Sequence, residues 1–363
     1  MSQLSGIETL RRQSLTLKDK TWRAYDKYYL QFEEYLKKES VAMSEESLLS
    51  WVMNLKSNGA APSTINKMFA AVVTVLECKN GDRPPGVKFV KTRIKKWLNK
   101  SVPKKSLSFS HSEVVTILSS CDLHNLRDVA TCTSLIIGVF GLHRISEIKA
   151  YTTEMLRKDE DGRGYWCESR VGSKTTAAGQ LTRFHVPNEM KHSNVTARPR
   201  AIMDAHLKAL RTSLGDDYAG NLFQTIRNNV FIKLPMGINT LSRQPRRCAE
   251  NIGRKDANLF TGHAFRRTGA RILADMGATR REIQRAGRWK DPNICEGYID
   301  ESDLTALNTS NLISGKARMT SVLQAPKEIP DDPPRVAAKK SSSFRPASTG
   351  FKPPRRIANP ESA

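Results

Sequence analysis

Three short segments of the sequence hold residues whose types could act on a phosphate group. In the first, Arg144 is followed three residues later by Glu147. In the second, His263 and Arg266 lie three residues apart, and the third ends at Tyr298. An arginine is permanently charged and its guanidinium matches phosphate oxygens, while a histidine exchanges protons near neutral pH. Each segment alone is more typical of a structural role, such as a salt bridge at a helix end or a half-buried core tyrosine.

In this order, the three segments resemble the tyrosine recombinase (phage integrase) family. The catalytic domain of that family presents an arginine, a lysine on a β-hairpin, a His-x-x-Arg pair, a histidine or tryptophan, and then a tyrosine. The resemblance covers residues 107 to 314 and extends more weakly into the N-terminal region. The site residues that it implies are Arg144, Lys174, His263, Arg266, Trp289 and Tyr298.

The reaction that the resemblance implies is site-specific cutting and rejoining of DNA without metal or ATP. Tyr298 attacks a phosphodiester to form a 3′-phosphotyrosine, with His263 as general base. Arg144 and Arg266 stabilise charge on the non-bridging oxygens, to which the indole N–H of Trp289 can also donate. Because the phosphotyrosine retains the bond energy, a 5′-hydroxyl of another strand can attack it, and no cofactor is implied.

The lysine of the family pattern is assigned to Lys174, which lies on a β-hairpin predicted from the sequence. Two stretches rich in strand-forming residues, Tyr165–Arg170 and Leu181–Val186, flank a turn at Ala177-Ala178-Gly179. The resemblance implies that Lys174 protonates the leaving 5′ oxygen. A single lysine on a hairpin is otherwise typical of a solvated surface.

Two positions depart from the family pattern. Many members read Gly-Leu-Arg at the first motif, whereas His143 intervenes before Arg144 here, so the turn before this arginine is expected to differ. Arg288 stands where some members carry a histidine next to glycine, which assigns the His/Trp position to Trp289. The tetrapeptide Gly-Arg-Trp-Lys resembles recombinases of eukaryotic mobile elements (crypton- or DIRS-like) more than bacterial integrases.

The charge of the chain predicts its partner. With 59 lysines and arginines against 36 acids, the formal charge is +23 and the isoelectric point is near 9.9. Such a surface favours a polyanion, here double-stranded DNA. An anionic membrane is the rival, but we find no apolar run of about 18 residues and no long basic amphipathic helix without a core role. The resemblance implies a homo-oligomer, with a dimer on each site and a tetramer in synapsis.

Two simple patterns predict where in the cell the protein acts and whether its cysteines are paired. The first sixteen residues have no apolar segment typical of a secretory signal, so the protein is expected inside a cell. There it would act in the nucleus of a eukaryote, or in the cytoplasm and nucleoid of a prokaryote. The six cysteines form no C-x-x-C pair and are expected to be free thiols without a metal.

Helical signals dominate the N-terminal hundred residues. One apolar stripe recurs at spacings of three and four, formed by Trp22, Tyr25, Tyr29, Phe32 and Leu36. A second helix is predicted to end at Asn58-Gly59, and a third to run from Ser63 to Asn80-Gly81. Lys88–Lys105 is densely basic, which is typical either of a solvated helix face or of contact with the DNA backbone.

Further signals place the chemistry-bearing segments on helices. Ser110 and Glu113 form a capping box, as do Thr279 and Glu282. A buried helix is predicted from Asp128 to Phe140, with Gly141 as its end. Asp291-Pro292 is expected to be the N-cap and first residue of a helix that carries Tyr298.

These signals predict a mainly α fold with four parts. They are a helical DNA-binding (core-binding) domain at 1–101, a linker at 102–106, a mostly helical catalytic domain with a small antiparallel sheet at 107–315, and a disordered basic tail at 316–363. Two other functions stay open: a relative that binds DNA without turnover, and a type IB topoisomerase. Strand exchange between two defined sites, as against relaxation of any plasmid, separates recombinase from topoisomerase.

Overall fold

The structure is a computed structural model that describes residues 6–15, 17–101, 105–170 and 179–322. The chain divides into two compact units, Met1–Lys105 and Ser106–Ala363. Residues 102–104 of the predicted linker and residues 323–363 of the predicted tail lie outside the described residues. Within the described part, no helix is both long and apolar enough to cross a membrane.

The first unit is helical. Its helices are α1 (Gly6–Ser14), α2 (Asp19–Lys38), α3 (Glu45–Ser57), α4 (Pro62–Asn80) and α5 (Val87–Lys100). Helix α4 packs against the other four, and the aromatic pair Phe32 and Trp51, with ring centroids 5.1 Å apart, lies in the core. The predicted ends of α3 at Asn58 and of α4 at Gly81 are confirmed, and Gly81 takes the left-handed conformation (φ 90°) that ends helices. Helix α1 was not predicted.

The second unit holds ten helices among its described residues. They are α6 (His111–Ser119), α7 (Leu126–Phe140), α8 (Ile145–Lys149), α9 (Pro199–Leu214), α10 (Ile238–Ser242), α11 (Gln244–Asn251), α12 (Ala264–Asp275), α13 (Arg280–Gly287), α14 (Asn293–Asp300) and α15 (Asp303–Ile313). Both predicted capping boxes are present, at the starts of α6 and α13. All six cysteines are free, as expected.

Three small antiparallel sheets complete this unit. Strands β1 (Leu156–Lys158), β2 (Gly164–Ser169) and β3 (Thr182–Pro187) form one sheet, and the pairs β4 (Met190–His192) with β5 (Val195–Ala197) and β6 (Gln224–Arg227) with β7 (Val230–Pro235) form two hairpins. The pairing of β2 with β3 confirms the predicted hairpin. Residues 171–178, which include Lys174, lie outside the described residues.

Helix α7 is buried along most of its length and organises the second unit. It packs against α8, α9, α11 and α12, and it ends at Phe140 with Gly141 as its C-cap, as predicted. Two glycines bring α12 close to it. A Cβ at Gly138 would lie 2.7 Å from Phe265 Cβ, and one at Gly269 would lie 2.3 Å from the Val139 carbonyl oxygen. This close approach places the His263 segment beside the Arg144 segment.

Candidate active site

The first arginine lies at the turn that joins α7 to α8. Leu142 takes a left-handed conformation (φ 46°), and the chain then enters α8 with Arg144 as its N-cap residue. The Glu147 carboxylate accepts from the Arg144 backbone N–H at 3.0 Å and from its Nη1 at 2.8 Å. The interaction expected of a helix-end salt bridge therefore also orients the guanidinium of Arg144.

His143, the residue that interrupts the family pattern, is buried at 3% exposure. Its Nε2 lies 2.8 Å from Tyr151 Oη, and its Nδ1 lies 3.2 Å from Glu147 Oε2 and 3.0 Å from Arg288 Nη2. Burial lowers the pKa of His143, so the imidazole is neutral near pH 7.

Arg266 lies one turn into α12 and is 4% exposed. Its Nη1 donates to the Leu142 carbonyl and its Nη2 to the Gly287 carbonyl, at the ends of α7 and α13. Burial, together with the charges of Arg144 and Arg288, lowers its pKa to about 10, which leaves it protonated at neutral pH. A buried cation held by two carbonyls retains charge that an incoming anion can use.

His263 immediately precedes α12 and is exposed. Desolvation lowers its pKa, and so do the charges of Arg144, Arg266 and Arg267. Its imidazole is therefore mainly neutral at pH 7 and able to accept a proton.

The third motif begins where α13 ends. A Cβ at Gly287 would lie 1.9 Å from the ring of Trp289, so only glycine leaves room for this indole. Trp289 is 8% exposed. The Arg266 guanidinium carbon lies 4.4 Å from the centroid of its ring, and the centroid of the Tyr298 ring lies 5.4 Å from it. Trp289 therefore links the second motif to the tyrosine.

Tyr298 is half-buried on α14, in a small core with Leu142, Ile283 and Trp289. The Arg267 guanidinium lies 5.5 Å from the centroid of its ring. Burial raises the pKa of Tyr298, and the charges of Arg267 and Arg266 offset part of this rise. The phenol is thus protonated at neutral pH and needs a base to become a nucleophile.

The predicted start of this helix was wrong by one residue. Helix α14 begins at Asn293, and Pro292 is the N-cap residue instead of the first helical residue. Pro292 nevertheless has helical dihedral angles (φ −65°, ψ −26°), and Asp291 Oδ1 accepts from the Asn293 N–H at 2.9 Å, as the predicted N-cap residue would. Asp291 still satisfies a donor of the first turn.

Four of the six predicted site residues, Arg144, Arg266, Trp289 and Tyr298, are joined by side-chain contacts, and His263 precedes the helix that carries Arg266, where the charges of Arg144 and Arg266 lower its pKa. Lys174 lies outside the described residues. Contiguous contacts join the four. Glu147 contacts both Arg144 and Arg288, the Leu142 carbonyl accepts from both Arg288 and Arg266, and Arg266 stacks on Trp289. Among the residues that the structure describes, no group of three or more His, Cys, Asp or Glu side chains lies close enough together to hold a metal ion.

Sequence reasoning assigned no role to three further residues at this site. Arg288 contacts the first motif, His143 contacts Arg288, and Arg267 packs over Tyr298. For the first two a signal existed, since both interrupt the family pattern. For Arg267 the only signal was its position next to Arg266.

Comparison with known proteins bears on the fold. No protein-family model and no curated protein sequence matches the chain. Among solved structures, the chain is similar to the integrase of the transposon Tn1549 in complex with circular intermediate DNA. The two are 16% identical, the similarity covers 85% of this chain and 99% of that chain, and the TM-score is 0.53. It is similar to a lambda integrase dimer bound to a COC′ core site, at 15% identity, 84% and 97% coverage and a TM-score of 0.52.

A third similar structure is the XerH site-specific recombinase bound to a palindromic difH substrate in a post-cleavage complex. The identity is 12%, the coverage is 78% of this chain and 77% of that chain, and the TM-score is 0.53. The predicted fold class, mainly helical with small antiparallel sheets, is confirmed. At this level of identity the likeness is one of fold, and the chain has the fold of the tyrosine recombinases.

Proposed function

We propose that the chain is a site-specific DNA recombinase that cuts and rejoins double-stranded DNA through a covalent bond to Tyr298. The observation that carries this proposal is the contact series from Arg266 through Trp289 to Tyr298, with Arg144 joined to it through Glu147 and Arg288. The likeness in fold to an integrase, a lambda integrase and a XerH recombinase, each in complex with DNA, supports it.

In the first step, Tyr298 Oη attacks the phosphorus and the bond from phosphorus to the 5′ oxygen breaks. The phenolic proton passes to His263, whose lowered pKa keeps it neutral and ready to accept. The arginines Arg144 and Arg266 neutralise charge on the non-bridging oxygens as the transition state forms. Losing one such donor typically costs about 2.7–4 kcal/mol of barrier.

The leaving 5′ oxygen takes a proton, for which Lys174 is the proposed acid. In the second step, a 5′-hydroxyl from another strand attacks the 3′-phosphotyrosine, the phosphorus–tyrosine bond breaks, and Tyr298 regains its proton. Because a phosphodiester is exchanged for a phosphotyrosyl ester and restored, the proposed reaction needs neither ATP nor a metal.

Contact with the DNA backbone is proposed for α5 in the N-terminal unit. Its apolar face, with Val87, Val90 and Ile94, is buried. The basic residues are exposed, and they are Lys88, Lys91, Arg93, Lys95, Lys96 and Lys100. Lysines on one solvated face release counterions when they meet phosphates, which gives binding a steep dependence on salt. We further propose a dimer on each site, a tetramer in synapsis, and action wherever the cell keeps its DNA.

The test uses nicked duplexes that tile the DNA flanking the gene, so that cleavage releases a short strand and traps the protein on DNA. We expect a covalent adduct on a subset of these duplexes, and strand exchange between two copies of the selected site. Relaxation of a plasmid that lacks the site, without strand exchange, would indicate a topoisomerase instead. Tight binding without any adduct would indicate a protein that has lost turnover.

A further inference from the structure

The two residues that interrupt the family pattern contact each other. His143 and Arg288 are 145 positions apart, yet Arg288 Nη2 lies 3.0 Å from His143 Nδ1. Each interruption is accompanied by a left-handed residue that is not glycine, with φ 46° at Leu142 and φ 54° at Arg288. Glycine is the usual residue in this conformation at a helix end, so Arg288 accepts a backbone conformation that costs more for a residue with a side chain.

Arg288 contacts two groups that bind the proposed catalytic arginines: the Glu147 carboxylate, which binds Arg144, and the Leu142 carbonyl, which accepts from Arg266. Its Nη2 lies 3.4 Å from Glu147 Oε2, and the other oxygen of that carboxylate binds Arg144. The same nitrogen donates to the Gly141 and Leu142 carbonyls at 3.0 and 3.4 Å, and the Leu142 carbonyl also accepts from Arg266.

We propose that Arg288 and His143 form a positioning pair that fixes Arg144 and Arg266 in the geometry needed for cleavage. The inference rests on the proposed function. Arg288 shares the charge of Glu147, so that Arg144 is oriented by this carboxylate without being fully neutralised by it. In the neutral tautomer whose Nδ1 accepts from Arg288, the imidazole proton lies on Nε2 and can donate to Tyr151 Oη. Both residues act on the catalytic arginines through Glu147 and the Leu142 carbonyl.

A positioning role and a merely structural packing role predict different orders of cleavage activity among a set of variants of His143 and Arg288. In His143→Asn, a side-chain oxygen can replace Nδ1 as acceptor, whereas His143→Leu keeps apolar bulk and loses the acceptor. Arg288→Met keeps length and loses every donor, and Arg288→Lys keeps one charged donor group. Arg285→Met, an exposed arginine on the same helix, is the matched control. The readouts are the rate of adduct formation at saturating DNA and the Kd for the same duplex.

Positioning predicts that Arg288→Met and His143→Leu slow adduct formation by about 100-fold, the size of effect that small misplacements of catalytic groups produce. The Kd should change by less than about threefold, Arg288→Lys and His143→Asn should be faster than Arg288→Met and His143→Leu respectively, and Arg285→Met should match the wild type. Equal rates for Arg288→Met and Arg285→Met would overturn the inference, as would a faster His143→Leu than His143→Asn. Should Arg288→Met fail to fold, the two His143 variants decide. A wild-type protein that forms no adduct would overturn the proposed function, and this inference with it.

Discussion

Arg266 lies over the indole of Trp289, with 4.4 Å between its guanidinium carbon and the ring centroid. The same indole contacts the ring of Tyr298. A cation over an aromatic face is attracted to it, and more strongly where water is excluded. Trp289 therefore packs between the Arg266 guanidinium and the ring of Tyr298 and helps hold both in place.

Trp289→Ala should therefore affect both stability and cleavage. Since the indole is 8% exposed, its removal leaves a cavity, and we expect the free energy of unfolding to fall by about 3–5 kcal/mol. Trp289→Phe retains an aromatic face for Arg266 and should lose less stability and less cleavage activity. Urea unfolding and the rate of adduct formation measure the two effects. An alanine variant as stable as the phenylalanine variant would contradict this role.

Replacing glycine by alanine should have opposite effects at Gly269, where α12 approaches α7 closely, and at Gly297 on α14, where there is open space. Gly269→Ala would place a Cβ 2.3 Å from the Val139 carbonyl oxygen, so we expect a loss of about 1–3 kcal/mol in the free energy of unfolding. At Gly297 on α14 nothing lies within 4 Å of an added Cβ, so Gly297→Ala should be neutral or gain about 0.5–1 kcal/mol. Urea unfolding of both variants checks this contrast. Stabilisation by Gly269→Ala would show that the two helices are not packed as described.

The pH dependence of cleavage should reflect His263. Its base form is the neutral imidazole, whose fraction falls as the pH drops through the pKa. Because that pKa lies below the ordinary 6.5, the rate at limiting DNA should fall on the acid side with a midpoint below pH 6.5. His263→Gln should be slower and lose this acidic limb, while circular dichroism confirms that the protein stays folded. A wild-type midpoint above 6.5 would argue against a neutral His263 as the base.

Lys174 should act on the leaving group and not on binding. A 5′-bridging phosphorothioate leaves as a thiolate, whose conjugate acid is far more acidic than an alcohol, so it hardly needs a proton. Lys174→Ala should thus be slow on ordinary DNA and largely restored on the sulfur-substituted strand. Arg144→Ala and Arg266→Ala, as controls, should not be restored comparably. Equal impairment of Lys174→Ala on both substrates would remove the general-acid assignment.

Local signals predicted much of the fold. The ends of α3, α4 and α7 depend on glycine or asparagine at the end itself, and the capping boxes depend on residues three apart. The β6–β7 hairpin was not predicted, although Asn228 and Asn229, with φ 48° and 56°, are typical of its turn.

What could not be predicted depends on contacts distant in sequence. The five described site residues were identified by order and spacing, but the contact between Arg288 and His143 follows from how α13 packs beside the end of α7. The position of Arg267 over Tyr298 likewise depends on the packing of α12 against α14. Residue spacing alone fixes neither relationship.

The most direct measurement is to locate the DNA attachment in the trapped adduct by mass spectrometry after digestion with trypsin and nuclease. Cleavage after Lys290 and Lys316 yields a peptide, Asp291–Lys316, in which Tyr298 is the only tyrosine. We expect this peptide to carry a 3′-linked nucleotide on Tyr298, and we expect Tyr298→Phe to bind the same duplex with unchanged Kd and form no adduct. A nucleotide on another peptide, or an adduct formed by Tyr298→Phe, would contradict the proposed mechanism.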